Sequence, residues 1–178
     1  MTREELGKEI YKVSLLKGEF KLRSGIISNE YFDKYQFECQ PTLLREISSW
    51  LIKLLPNEFE LLAGLETGGI PLATAISLET NKPMVLVRKK AKDYGTKKLA
   101  EGPDVTGRKI VVVEDVVTSG GQIIQSINEL KMLGCDCKIA ICVIDREQGG
   151  KENLSKVGVE LRSLFTMSEL KEFAQEIK

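Results

Sequence analysis

The sequence predicts an α/β fold: a mostly parallel central sheet with helices on both faces. Three observations carry this. Short aliphatic and β-branched runs alternate along the chain with stretches whose apolar residues recur at helical spacing. The clearest run, Ile110 to Val113, is apolar at every position, the pattern of a strand buried on both faces. The polar, glycine-bearing segments directly follow the runs, which puts them at the carboxyl edge of such a sheet, where α/β folds bind ligands.

From Arg3 to Leu16, apolar side chains at Leu6, Ile10, Val13 and Leu16 predict a helix with Gly18 as its stop. Phe20 to Asp33 breaks the pattern. After Pro41, residues Leu43, Leu44, Ile47, Trp50, Leu51, Leu54 and Leu55 predict an amphipathic helix ended near Pro56. Leu61 to Leu65 is a short apolar strand, Ile70 to Leu78 the helix packed on it, and Pro83 to Val87 the next strand. A polar stretch, Arg88 to Gly107, leads to a strand at Lys109 to Val113. The following helix carries Ile123, Ile124, Ile127, Leu130 and Leu133 on one face, with Gly134 as its C-cap. Lys138 to Ile144 is a further strand, and Lys151 to Lys178 is expected to add an edge strand and a final helix.

At 178 residues the chain is expected to form one domain. Lys and Arg total 26, as do Asp and Glu, so the overall balance offers no electrostatic reason for nucleic acid or an anionic membrane as partner. No apolar run approaches the ~20 residues of a membrane span, and Met1 to Glu5 has no signal-peptide core, so a cytoplasmic protein is expected. Cys39, Cys135, Cys137 and Cys142 form no Cys-x-x-Cys pair and are read as structural. The chain has no histidine. Imidazole is therefore absent from any mechanism, leaving Lys, Arg, Tyr and carboxylates to do the polar work.

The most informative stretch is Val111 to Gln122. The strand ends in two adjacent acids, Glu114 and Asp115; then come Val116, Val117 and a Thr118-Ser119-Gly120-Gly121 turn, opening at Gln122 into a helix. Backbone N–H groups and the positive end of the helix dipole meet there, which suits a phosphate. The carboxylates stand at the right distance to accept hydrogen bonds from sugar hydroxyls and, directly or through water, to help hold Mg²⁺. A ribose 5-phosphate fits.

Four other segments follow strands or precede the core. Thr67-Gly68-Gly69 permits close approach of backbone N–H groups to an anion, although a tight turn explains the glycines equally well. Arg88-Lys89-Lys90-Ala91-Lys92-Asp93-Tyr94-Gly95-Thr96-Lys97-Lys98 holds six cations in eleven residues. That is either a solvated loop or a cover for a departing anion. Arg146, beside Gly149-Gly150, is either a salt-bridge partner of Asp145 or Glu147 or a two-pronged receptor for a ligand carboxylate. Near the start, Phe20 to Asp33 offers Tyr31 and Phe32 as flat neighbours for a ring, with core packing as the other reading.

The acids followed by Thr-Ser-Gly-Gly resemble the signature of the type I phosphoribosyltransferases, which bind 5-phosphoribosyl-1-pyrophosphate (PRPP). The cationic loop, the Phe-x-Leu-x-Ser-Gly and Ser-x-x-Tyr-Phe segment, and Arg146 narrow the resemblance to the orotate phosphoribosyltransferase family. It implies that fold, with a small N-terminal hood over about residues 1–40 and a PRPP-binding core over about 41–178. It also implies transfer of ribose 5-phosphate from PRPP to orotate, with Mg²⁺ held mainly by PRPP and a homodimer sharing its catalytic loop across the interface. By resemblance, Lys89, Lys92 and Asp115 are catalytic. PRPP is bound by Thr67 to Gly69, Arg88, Lys89, Lys92, Tyr94 and Glu114 to Gln122; orotate is contacted by Arg23, Tyr31, Phe32, Thr118 and Arg146. Tyr94 stands where the family usually has histidine, and Arg23 where it often has lysine. The alternatives are a phosphoribosyltransferase for another base, or a non-catalytic regulator that senses PRPP.

Overall fold

The computed structural model describes residues 1–21, 25–90 and 99–175. Its core is a six-stranded sheet in which five strands run parallel. The elements are α1 (Arg3–Ser14), β1 (Leu15–Lys21), β2 (Ile27–Phe32), α2 (Tyr35–Glu38), α3 (Pro41–Ile52), β3 (Leu61–Leu65), α4 (Gly69–Thr80), β4 (Met84–Val87), β5 (Ala100–Glu101), β6 (Lys109–Val117), α5 (Gly121–Met132), β7 (Asp136–Asp145), α6 (Gly150–Lys156), β8 (Glu160–Thr166) and α7 (Met167–Gln175). The sheet order is β5-β4-β3-β6-β7-β8, with the short β5 antiparallel to β4.

Consecutive residues of one strand feed opposite layers. Leu61, Ala63, Leu65 and Val112 join a core with Ile123, Ile127 and Leu130 of α5, whereas Leu62, Val111 and Val113 join one with Leu6, Ile10, Ile47, Leu72 and Ile76 from α1, α3 and α4. This is why the central strands read as continuous apolar runs. Each fully buried Leu, Ile or Val contributes ~1.5–3 kcal/mol relative to exposure.

The structure departs from the sequence expectation in several places. The first helix opens on a capping box, in which Glu5 N–H donates to Thr2 Oγ1 at 3.2 Å and Thr2 N–H to Glu5 Oε2 at 2.9 Å. It ends at Ser14 rather than near Gly18, because Leu16 leaves the helical face and pairs with Tyr31 in the hairpin β1–β2. That hairpin was not foreseen; its largely exposed strands carry no alternating apolar signal. Strand β6 does not stop at Val113. It continues through both acids to Val117, paired with β7 as far as Asp145, since Val116 and Val117 resume the β-branched run. Beyond Gly149, β8 forms the sheet edge and α7 the last helix, with the seven-residue α6 added between β7 and β8. Arg3 of α1 ties the two ends of the described chain together, with Nη2 donating to Leu164 O at 2.8 Å and to Glu169 Oε1 at 2.7 Å.

Candidate active site

All four informative segments of the core leave the sheet at its carboxyl edge. The phosphate loop is built by Thr118 and Ser119, both exposed, and by Gly120, which adopts φ 78° as the N-cap of α5. A side chain there would be strained. No side chain caps α5. The intrahelical ladder begins with Ile124 N–H to Gly120 O at 2.9 Å, so the N–H groups of Gly121, Gln122 and Ile123 face outward, as the first turn of any helix requires. They line a cleft of ≈ 180 Å³ bounded by Glu114 and by Val116 to Ile123. The helix dipole adds partial positive charge at the same point, the physical basis of an anion site.

The acids differ in setting. Glu114 lines the cleft, and its Oε2 is buried without a hydrogen-bond partner. Burial, reinforced by the neighbouring Asp115 charge, pushes its carboxyl well above the usual range. Asp115 is fully buried. One of its oxygens receives Lys34 Nζ and the other receives the Val116 N–H. Sequence reasoning missed Lys34, and with it Glu38, a buried carboxyl on α2 whose Oε1 has no partner. Burial first, then contact with Asp115, pushes Glu38 up to about 8. Two carboxyls meeting in this way are relieved by a proton on one of them, which turns repulsion into a hydrogen bond. Lys-Tyr-x-x-Glu right after the hairpin was the available signal, hidden because charged residues at a surface turn are ordinary.

The glycine turn after β3 sits directly on these acids. A Cβ on Gly68 would overlap the Asp115 carboxylate and crowd Glu38 Oε1, and one on Gly69 would overlap the Val113 carbonyl. Only hydrogen fits at either Cα. The Glu66–Thr67 peptide beside them is cis. Glu66 accepts a hydrogen bond from Lys89 N–H at 3.4 Å, which brings the start of the cationic segment to the turn. Arg88 is half-buried and Lys89 exposed. Lys92, Tyr94 and Arg23 lie outside the described residues.

Arg146 emerges from β7 next to the phosphate loop. Its Nε is buried without a partner. Neither nearby acid engages it: Asp145 accepts from Glu147 N–H at 2.9 Å, and Glu147 accepts from Ser168 N–H at 2.9 Å. Gly150 packs so closely on Thr118 O and Val117 Cγ1 that a Cβ would lie 2.5 and 2.6 Å from them, locking the arginine turn against the loop. In the hood the two aromatics separate. Tyr31 is 45% exposed with its ring 5.6 Å from Phe20, whereas Phe32 sits 6.2 Å from Tyr11 and packs on the inner core. The four cysteines are free, and burial raises the Cys137 thiol to about 12, leaving it a poor nucleophile. No helix among the described residues is long and apolar enough to cross a membrane.

Comparison with known proteins gives three findings of the same kind. The phosphoribosyl transferase domain family matches residues 37–167. The orotate phosphoribosyltransferase of Nocardioides sp. is 47% identical over 165 residues, 93% of this chain and 92% of that protein, and that of Methanocella arvoryzae is 46% identical over 153 residues, 86% and 87%. The crystal structure of Mycobacterium tuberculosis orotate phosphoribosyltransferase in complex with PRPP superposes with a TM-score of 0.81 at 26% identity, covering 95% of this chain and 98% of that one.

Proposed function

We infer the activity from a family premise: the chain belongs to the phosphoribosyltransferases, and within them to the orotate phosphoribosyltransferases. It transfers the ribose 5-phosphate group of PRPP to N1 of orotate, yielding orotidine 5′-monophosphate and pyrophosphate, a step of pyrimidine biosynthesis. The observation that carries this reading is the Arg146 Nε, buried without a hydrogen-bond partner, beside an uncapped helix start: a carboxylate receptor next to a phosphate receptor.

The roles follow from placement. The N–H groups at the start of α5, with Thr118 and Ser119, hold the 5′-phosphate. Glu114 and Asp115 accept hydrogen bonds from the ribose hydroxyls and stabilise the positive charge that develops on the sugar as its bond to pyrophosphate breaks. Thr67, Gly68 and Gly69 receive the pyrophosphate through backbone N–H groups. Arg88 and Lys89, joined by Lys92 and Tyr94, meet the charge building on the leaving group and keep water from the sugar. Arg146 and Thr118 fix the orotate carboxylate and edge, while Tyr31, Phe32 and Arg23 belong to the base-binding hood. Glu114, whose Oε2 has no hydrogen-bond partner, is a hard oxygen donor that would help hold a PRPP-bound Mg²⁺, directly or through water, and the ion would neutralise pyrophosphate charge. A cytoplasmic homodimer with a loop shared between protomers completes the proposal.

The test is a base panel. Purified protein with PRPP and Mg²⁺ is offered orotate, uracil, hypoxanthine and xanthine, and nucleotide and pyrophosphate are quantified. Product with orotate alone is expected. Preference for another base would overturn the base assignment, and PRPP binding without turnover on any base would point to a regulator.

A further inference from the structure

Lys34 joins two parts of the molecule that the reaction must coordinate. It is the first residue after the hood hairpin closes, where Asp33 N–H donates to Ser14 O at 2.8 Å, and it forms the N-cap of α2. Its ammonium pairs with Asp115 Oδ2, 81 residues away in sequence. Asp115 is fully buried, whereas the Lys34 side chain keeps 31% exposure. The other Asp115 oxygen takes the Val116 N–H, so both ends of the carboxylate are fixed from the protein side. Lys34 also offsets the charge of Glu114 and Glu38, the carboxyls that crowd Asp115 beneath Gly68 and Gly69.

We propose that Lys34 is a positioning residue for the transfer: it acts through Asp115, orienting and neutralising that buried carboxylate from the hood side, beneath the ribose site. This rests on the reading that Asp115 serves the sugar. Removing the ammonium would leave an uncompensated buried charge packed against the glycine turn. The hood would also lose one of its side-chain links to the ribose site, Glu38 being another.

A double-mutant cycle decides the matter. Lys34→Met, Asp115→Asn and the double variant are compared by kcat, by KM for each substrate, and by calorimetric PRPP binding without orotate. Lys34→Met is expected to lower kcat/KM for PRPP by ~100-fold with the KM for orotate within ~2-fold of wild type, and to change the Asp115→Asn background by less than ~3-fold. Additive losses in the two backgrounds, or a Lys34→Met enzyme with wild-type kinetics, would overturn the proposal. Should Lys34→Met not fold, Lys34→Arg takes its place: charge is kept but the donor is displaced, and a loss of ~10-fold is expected in the wild-type background alone, with equal loss in both counting against the role. A wild-type protein that binds PRPP yet forms no orotidine monophosphate would defeat the orotate reading, while the cycle could still be read in PRPP binding.

Discussion

The backbone N–H of Arg146 donates to the carbonyl of Val117 at 2.8 Å. The arginine turn and the phosphate loop therefore leave adjacent strands at the same level, and a ligand with a phosphate at one end and a carboxylate-bearing ring at the other can span them.

Arg146→Ala is expected to raise the KM for orotate by ~10- to 100-fold, the range of one charge-assisted hydrogen bond at ~1.5–3 kcal/mol, with the KM for PRPP nearly unchanged. Steady-state kinetics with each substrate varied in turn measure this. Parallel weakening of both substrates would make the arginine a structural residue.

Neutralising the acid pair by Glu114→Gln with Asp115→Asn is expected to reduce kcat/KM by a few orders of magnitude, at ~1.5–3 kcal/mol per lost charge-assisted bond. The variant should remain folded by circular dichroism, since replacing two crowded carboxyls with amides removes buried charge. Near-normal turnover would refute the role.

The Gly69 Cα faces the Val113 carbonyl with no room for a methyl group. Because the obstacle is backbone, Gly69→Ala must displace the turn, with a destabilisation of ~1–3 kcal/mol and a clear rise in the KM for PRPP but little in that for orotate. Urea unfolding and initial rates read the two effects, and a variant with native values in both would show that the turn yields easily.

Glu38 gives a pH prediction. Its carboxyl is pushed from 4.5 up to about 8 by burial and by Asp115. Between those values the folded chain holds a proton that the unfolded chain has released, so this group's contribution to stability is complete below about pH 4.5 and is lost as pH rises through about 8. Glu38→Gln should flatten that decline. Urea midpoints at several pH values across this interval test it, and identical slopes in the two proteins would exclude Glu38 as their source.

Much of the core could be read from residue pattern because burial on both faces leaves an unbroken apolar run, as at Leu61 to Leu65 and Ile110 to Val113. The phosphate loop was legible because Gly120 and Gly121 must follow a strand and open a helix for that geometry to exist. The hairpin was not, since its pairing, Leu15 with Phe32 and Lys21 with Ile27, depends on partners brought together by the fold rather than on periodicity. Lys34 and Glu38 were hidden for the same reason: a lysine in a turn looks solvated until a contact 81 residues away gives it a buried partner. The extension of β6 past its acids shows a third case, in which ladder pairing with β7 outweighs the poor strand preference of two carboxylates.

The two-residue strand β5 sets a radius of action. With Arg88 N–H bonded to Leu99 O at 3.0 Å and Val87 paired with Ala100, the cationic segment has both feet planted at one point on the end of β4. A chain advances at most ~3.3–3.6 Å per residue, so a segment anchored in this way can carry its middle no farther than roughly 17–20 Å from that point before it must return. Any site its backbone touches, in its own protomer or in a second copy, has to lie inside that sphere, with the lysine side chains reaching somewhat beyond it. Lengthening the segment would extend the sphere at a modest entropic cost, since loop closure grows only logarithmically with length.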